Sequence, residues 1–242
     1  MWVPRRGHAL GVERRAVAAR GAWARLVGLS DLEGTKVVCD AESALCRRGW
    51  IGILALDGTV TASVPRPDLE GRVAEAIAGL TSEEATTPEV VRPRLPQTRA
   101  VLGPVSLFYP PDSFSVAQLG SVEEVRGDEI EELFAAVASD ELEESGLAEI
   151  TSPAFASRTR EGQLAAVCGY RLWPNGVAHL SVLAHPNHRR DGHGRRAATV
   201  AIARAINEEL LPQWRARLLA SRALARSLGF VEIGAQLNFE PA

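Results

Sequence analysis

Residues Val177 to Arg196 read VAHLSVLAHPNHRRDGHGRR, and this stretch decides the fold of the C-terminal half. The apolar run up to Ala184 predicts a strand, and the glycine- and arginine-rich segment after it predicts a loop leading into a helix. Gly192 and Gly194 let a ligand approach the backbone closely. The unsatisfied N–H groups and the dipole of a first helical turn favour an anion, and the arginines add positive charge. The stretch therefore predicts a cradle for a phosphate or pyrophosphate.

Two common phosphate-binding loops do not account for this cradle. A Walker A loop would continue into Gly-Lys-Ser/Thr, which is absent here. A dinucleotide-binding fingerprint would follow a parallel strand. Here Gln163 to Trp173 and Val177 to Ala184 flank Pro174-Asn175-Gly176, which predicts an antiparallel hairpin in an α+β context.

Two motifs together carry a resemblance to a known family. Arg189-Arg190-Asp191-Gly192-His193-Gly194 matches the R/Q-x-x-G-x-G/A signature of GCN5-related N-acetyltransferases (GNAT). Downstream, SRALARSLGF from Ser221 to Phe230 is similar to the second motif of that family, a short helix ending in Gly-Phe. The resemblance covers Gly127 to Ala242, about half of the chain.

The resemblance implies a fold and a division of the chain. We expect an α+β GNAT acyl-CoA-binding fold, with a mixed, mostly antiparallel central sheet flanked by helices, over residues 111–242. Residues 1–110 would form an additional N-terminal α/β lobe of unassigned role. A degenerate second GNAT-like half and a cap that shapes the acceptor site are both open for that lobe.

The resemblance also implies an activity. Acetyl-CoA would be the co-substrate, and a primary amine of an unidentified small molecule or protein would attack its thioester directly. The alternative is a non-catalytic acyl-CoA-binding or regulatory module that keeps the cradle. The cofactor-binding residues implied are Leu183, Ala184 and His185 for the pantetheine arm, and Arg189, Arg190, Asp191, Gly192, His193, Gly194 and Arg195 for the pyrophosphate.

The catalytic residues depart from the family pattern. Many members place a tyrosine four residues before the glycine of Gly-Phe, as the acid for the thiolate, and this chain has Ala225 there. Leu218 stands where many have asparagine, and Ser221 is the nearest hydroxyl, with a helix cap as its other interpretation. The strand before the loop holds no carboxylate, so His179 is the candidate base. Four glutamates could line the acceptor side: Glu141, Glu143, Glu144 and Glu149.

Composition and charge limit the classes of partner and the location expected for the protein. The net charge of −3 does not indicate a nucleic-acid binder, and no run approaches the roughly 20 apolar residues of a membrane span. Cys39, Cys46 and Cys168 form no disulfide framework or CxxC pair, so a cytoplasmic location is expected. We expect no metal, because the histidines near the loop fit no metal-binding motif. Homodimerisation is left open.

The remaining pattern predicts further elements. Asp57-Gly58 predicts a tight hairpin within Ile51 to Val64, and Ser152-Pro153 has the form of a helix start. Pro212 is expected to stop a helix over Arg195 to Leu211. The other predicted segments are helices over Glu13 to Leu29, Asp68 to Leu80 and from Asp128, strands over Val101 to Tyr109, Trp214 to Leu218 and Phe230 to Phe239, and a linker over Thr81 to Gln97.

Overall fold

A computed structural model describes residues 6–114 and 122–242. The start of the arginine-rich N-terminus, residues 1–5, lies outside the described residues. The helices are α1 (Arg6–Leu26), α2 (Glu70–Ile77), α3 (Ser82–Ala85), α4 (Pro88–Val91), α5 (Gly127–Ala135), α6 (Ser139–Ser145), α7 (His193–Asn207) and α8 (Leu219–Ser227). The strands are β1 (Thr35–Cys39), β2 (Ile51–Leu56), β3 (Thr59–Val64), β4 (Thr98–Tyr109), β5 (Val122–Val125), β6 (Ala154–Arg158), β7 (Leu164–Trp173), β8 (Val177–Ala184), β9 (Leu211–Ala216) and β10 (Val231–Pro241).

The contacts within the chain define two compact units. The N-terminal unit comprises Met1–Phe108 together with Arg215–Arg222 and Val231–Ala242. The C-terminal unit comprises Tyr109–Trp214 and Ala223–Phe230. The last strand of the chain is therefore grouped with the N-terminal unit, which a division at residue 110 alone does not describe.

The N-terminal unit contains strands in the order β1-β3-β2-β10-β4. The hairpin of β2 and β3 confirms the prediction, since Asp57 and Gly58 have φ angles of 49° and 82° and such positive angles suit a tight hairpin turn. One face of these strands carries the apolar core, in which Ile53 and Ala62 pack with Val73 and Ile77 of α2. Burial of such side chains is the main source of stability in a sheet of this kind.

The C-terminal unit contains strands in the order β9-β8-β7-β6-β5. Strands β5 to β8 pair antiparallel, whereas β8 pairs with β9 in parallel. Leu183 packs in the core cluster with Leu133 of α5 and with Leu147, and the opposite face of β8 carries Val182, beside Gly194 of α7. This mixed, mostly antiparallel sheet with helices on its faces is the predicted architecture.

Several predicted boundaries were wrong for local reasons. Ser152-Pro153 begins no helix, because the Ser152 hydroxyl accepts from Tyr170 N–H at 2.8 Å and donates to the Pro153 carbonyl oxygen, and a strand follows. Pro212 does not stop a helix, since α7 has already ended at Asn207 and Pro212 lies inside β9. The strand predicted over Trp214 to Leu218 is β9, which starts earlier.

Two further segments differ from the secondary structure predicted for them. The predicted linker over Thr81 to Gln97 holds the short helices α3 and α4, and Thr81 and Glu84 form a capping box at the start of α3. Strand β5 was missed, because its sequence VEEV is short and half acidic. Short elements of this kind carry little periodicity, so sequence patterns locate them poorly.

Candidate functional site

Strands β8 and β9 form a fork. Their register pairs Val177 with Leu211, Ala178 with Pro212 and His179 with Gln213. Beyond His179, β8 continues to Ala184 without a further β9 partner among the described residues. One edge of β8 is therefore open over the five residues that lead into the glycine- and arginine-rich loop.

The strand pleat determines which backbone groups face this open edge. His185 N–H donates to the Ala165 carbonyl oxygen at 2.9 Å, and the register pairs Leu183 with Val167. Because backbone groups alternate between the two neighbours of an antiparallel strand, Leu183 and His185 direct theirs toward β7. The C=O group of Leu180 and both backbone groups of Val182 and Ala184 then face the fork, whereas the Leu180 N–H belongs to the ladder with Gln213.

The loop after β8 has a left-handed backbone at two positions. Arg190 and Gly192 have φ angles of 72° and 81°. Gly192 is the N-cap of α7, and no described side chain caps that helix end. The first turn, from His193 to Arg196, holds two arginines and no acid. The N–H groups of this turn and the adjacent charge can receive an anion.

The two loop glycines leave space beside the backbone. A Cβ at Gly192 would meet only Arg196 Nη2, at 3.9 Å. A Cβ at Gly194 would lie 3.5 Å from Leu224 Cδ2 and 3.8 Å from Val182 Cγ2, which are ordinary contacts. Packing against the described protein atoms therefore does not require glycine at 194.

Two charged or polar side chains of the loop already have protein partners. Arg189 donates to both carboxylate oxygens of Glu141 in α6, at 3.0 and 2.8 Å, and this bond lowers the pKa of Glu141. His193 Nδ1 lies 2.9 Å from Ser157 Oγ and 3.2 Å from Arg196 Nη1. Because arginine only donates, Nδ1 is the acceptor there. Burial, with the charge of Arg196 second, lowers the pKa of His193.

His179 lies at the point of the fork. Its ring contacts Trp173 with a centroid distance of 4.7 Å, and it is partly exposed. Gln213, its partner in β9, is 1% exposed, and its Nε2 donates to Tyr109 Oη at 2.5 Å. Gln213 was not among the site residues predicted from the sequence. The sequence did carry a signal, because an amide side chain between apolar residues of a strand indicates a buried position and not a solvent-facing one.

The second motif differs from its prediction at one residue. Ser221 lies inside α8, which begins at Leu219, so it is not the N-cap of that helix. It is also grouped with the N-terminal unit, whereas the loop and His179 belong to the C-terminal unit. Ala225 is fully buried, and Leu218 is 55% exposed.

The described residues contain no group of three or more His, Cys, Asp or Glu side chains that could hold a metal ion. The rings of His185 and His188 lie 5.2 Å apart. Burial raises the pKa of the Cys46 thiol to about 12 and also raises that of Cys168. No helix in the described ranges has the length and apolar character needed to span a membrane.

The fork, the loop and the mixed sheet together define an α+β fold. Residues 157–235 match the family model described as GNAT acetyltransferase, in the half of the chain where the sequence motifs predicted this resemblance. No curated protein gives a significant match to the chain.

Solved structures resemble parts of the chain. A GNAT-family acetyltransferase from Novosphingobium aromaticivorans is 19% identical, with a TM-score of 0.48 over 59% of this chain and 65% of that one. A GCN5-related N-acetyltransferase from Kribbella flavida is 20% identical, with a TM-score of 0.45 over 65% of each. A ribosomal-protein-alanine N-acetyltransferase from Brucella melitensis is 21% identical, with a TM-score of 0.38 over 50% and 97%. The match spans less than two thirds of the first two structures.

Proposed function

We propose that the C-terminal unit transfers an acetyl group from acetyl-CoA to a primary amine of a small molecule or protein. The observation that carries this proposal is the open edge of β8, which leads directly into the loop at the start of α7. An extended amide-containing ligand can add to such an edge as a further strand. A pyrophosphate at its end can then meet the first-turn N–H groups of a helix.

The residues of β8 and of the loop fit acetyl-CoA, with one change to the pantetheine contacts expected from the sequence. The backbone of Val182 and Ala184 faces the fork, so these two residues are better placed to bond the pantetheine amides than Leu183 or His185. Further along, Gly192 to Arg195 would receive the pyrophosphate. Arg189 is less suited to that contact, because Glu141 holds its guanidinium. Bound acetyl-CoA would supply the activated acyl group.

The chain's own groups would then position the reactants. The N–H of Val182 is the first in β8 that faces the fork beyond the part paired with β9, and it can donate to the thioester carbonyl oxygen. A fixed donor at that oxygen stabilises the charge that develops there. His179 would take the proton of the attacking amine, because it is the only side chain of β8 that titrates near neutral pH.

The first experiment measures binding and turnover together. Millimolar acetyl-CoA should raise the Tm of the protein, and Gly194→Glu should abolish that rise, because a carboxylate would extend from between Val182 and Leu224. Gly194→Ala is the matched control for folding, since its Cβ fits. Release of free CoA thiol with a panel of primary amines, confirmed by the mass of the acetylated product, would establish transfer. Absence of any Tm rise would refute the proposal.

A non-catalytic acyl-CoA-binding module is the second candidate. The complete burial of Ala225, where many family members have an acidic tyrosine, and the lack of a carboxylate on β8 favour it. This candidate predicts a Tm rise with acetyl-CoA, no acetylated product with any amine, and no effect of His179→Ala on binding. Measurable turnover that His179→Ala lowers at least tenfold would eliminate it.

A further inference from the structure

A buried amide at the fork lacks one hydrogen-bond partner. Gln213 is 1% exposed, and Tyr109 Oη fixes its Nε2 end. Its Oε1 atom is buried and accepts no hydrogen bond from the described residues. A buried carbonyl oxygen without a donor destabilises a fold. An atom of this kind therefore invites an explanation in terms of function.

The register places this amide beside the candidate base. His179 and Gln213 are Cα partners in the parallel pair of β8 and β9. Residues in register on neighbouring strands project their side chains to the same face, with the strands about 4.8 Å apart. His179 is partly exposed, whereas Gln213 is not. The amide therefore lies deeper than the exposed part of the imidazole, whose Nδ1 atom is itself buried.

We propose that Gln213 is a positioning residue whose Oε1 accepts a hydrogen bond from protonated His179. A neutral imidazole has one N–H group, whereas the imidazolium has two. The second N–H arises only when His179 takes a proton from the attacking amine, and it then needs an acceptor. The amide oxygen supplies that acceptor without a negative charge, so His179 can still return the proton to solvent.

Other groups also face His179. On β7, Arg171 is its cross-strand partner, and the Arg171 guanidinium donates to the Glu149 carboxylate. The Trp173 ring packs on the imidazole, and Tyr109 holds the far end of the Gln213 amide. The positive charge of Arg171 disfavours the imidazolium and the negative charge of Glu149 favours it. The variants described below leave this ion pair and the Trp173 ring unchanged.

The hydrogen bond is inferred from register and burial, and its catalytic use rests on the proposed function. The experiment follows the ring protons of His179 by NMR as pH is varied, with His179→Gln to assign the signal. Gln213→Leu should lower the midpoint of that titration by about one pH unit, because a hydrogen bond to the charged form is lost. Gln213→Glu should raise the midpoint by at least as much, because a carboxylate attracts the imidazolium.

Two tyrosine variants serve as a matched pair. Tyr109→Phe releases the amide of Gln213 and should lower the midpoint by less than Gln213→Leu does. Tyr170→Phe removes a hydroxyl that donates to Glu208, the C-cap residue of α7. Tyr170 pairs with Leu180, on the face of β8 opposite to His179, so this variant should leave the midpoint unchanged.

The outcomes separate this inference from the proposed function. If Gln213→Leu lowers the Tm but leaves the His179 midpoint unchanged, Gln213 has only a structural role and the inference is wrong. If the midpoint shifts but no amine is acetylated, the hydrogen bond stands and the proposed function fails. If the midpoint shifts and an amine is acetylated, the acidic limb of the pH profile of kcat/KM should move with the NMR midpoint in each variant.

Discussion

Gly234 in β10 of the N-terminal unit and Gly194 in the first turn of α7 differ in what surrounds them. A Cβ at Gly234 in β10 would lie 2.2 Å from the Ala55 carbonyl oxygen and 3.0 Å from Leu56 Cα. A Cβ at Gly194 would meet nothing closer than 3.5 Å. Neighbouring main chain therefore requires glycine in β10, whereas no described protein atom requires it at 194. Alanine therefore fits at 194 without steric conflict, which agrees with the G/A position of the signature that the loop resembles.

The largest effect is expected at the sheet. Gly234→Ala should lower the free energy of unfolding by about 3 kcal/mol, because the new Cβ overlaps backbone that cannot move independently. A fall in Tm of roughly 10 °C corresponds to that loss for a chain of this length. Differential scanning calorimetry checks it. A Tm within 2 °C of the unsubstituted protein would contradict the claim that packing requires glycine in β10 but not at 194.

A smaller effect is expected at Gly192, where the backbone φ angle favours glycine although the neighbouring space would accept a side chain. Gly192→Ala should destabilise the fold by about 1 kcal/mol, because a Cβ disfavours the φ angle of 81°. Gly192→Asn is the matched variant and should cost less, since asparagine tolerates left-handed backbone. Urea unfolding measures both. Equal losses for alanine and asparagine would contradict the backbone explanation.

At Gly194, alanine should preserve both stability and acetyl-CoA binding. Gly194→Ala should leave the fold unchanged or stabilise it by up to about 1 kcal/mol, because alanine is the better helix former. The same methyl group would contact Val182 and Leu224 at ordinary distances, and the signature that the loop resembles accepts alanine at this position, so acetyl-CoA should still bind. Calorimetric titration beside the unfolding curve tests this pair of outcomes. Loss of acetyl-CoA binding in this variant would contradict the prediction.

The smallest expected effect is the pH dependence of His193. Its pKa is lowered in the folded state, so on acidification the unfolded chain takes up this proton first. The unfolded state then binds more protons, and stability falls as pH drops through about 6.5, the ordinary histidine value. His193→Gln should reduce the fall in Tm between pH 7.5 and 5.5 by roughly 1–2 °C. An identical fall in both proteins would contradict this prediction.

Sequence patterns located the elements that carry strong local signals. The hairpins at Asp57-Gly58 and at Asn175-Gly176 were predicted with the correct turns, because these residues adopt positive φ angles readily. The glycine- and arginine-rich loop was predicted in the correct position between β8 and α7 for a similar reason. Its glycines and arginines follow one another closely in the sequence, so the pattern could be read directly.

Features that depend on distant pairing could not be read in this way. Ser152-Pro153 has the local form of a helix start, but pairing of Ser152 with Tyr170 N–H in β7 prevails. The proximity of Gln213 to His179 exists only through the parallel register of β8 and β9. The grouping of β10 with the first half of the chain likewise follows from pairing with β2, far away in sequence. Tertiary pairing of this kind overrides local propensity.

The burial of Ala225 has a consequence for the pH range of the proposed reaction. An enzyme that protonates its leaving group with a tyrosine loses rate when that phenol ionises, near pH 10 in the ordinary case. No phenol can occupy the place of Ala225 without repacking a fully buried position. The thiolate would then depart as an anion, and the rate profile should stay level on its alkaline side.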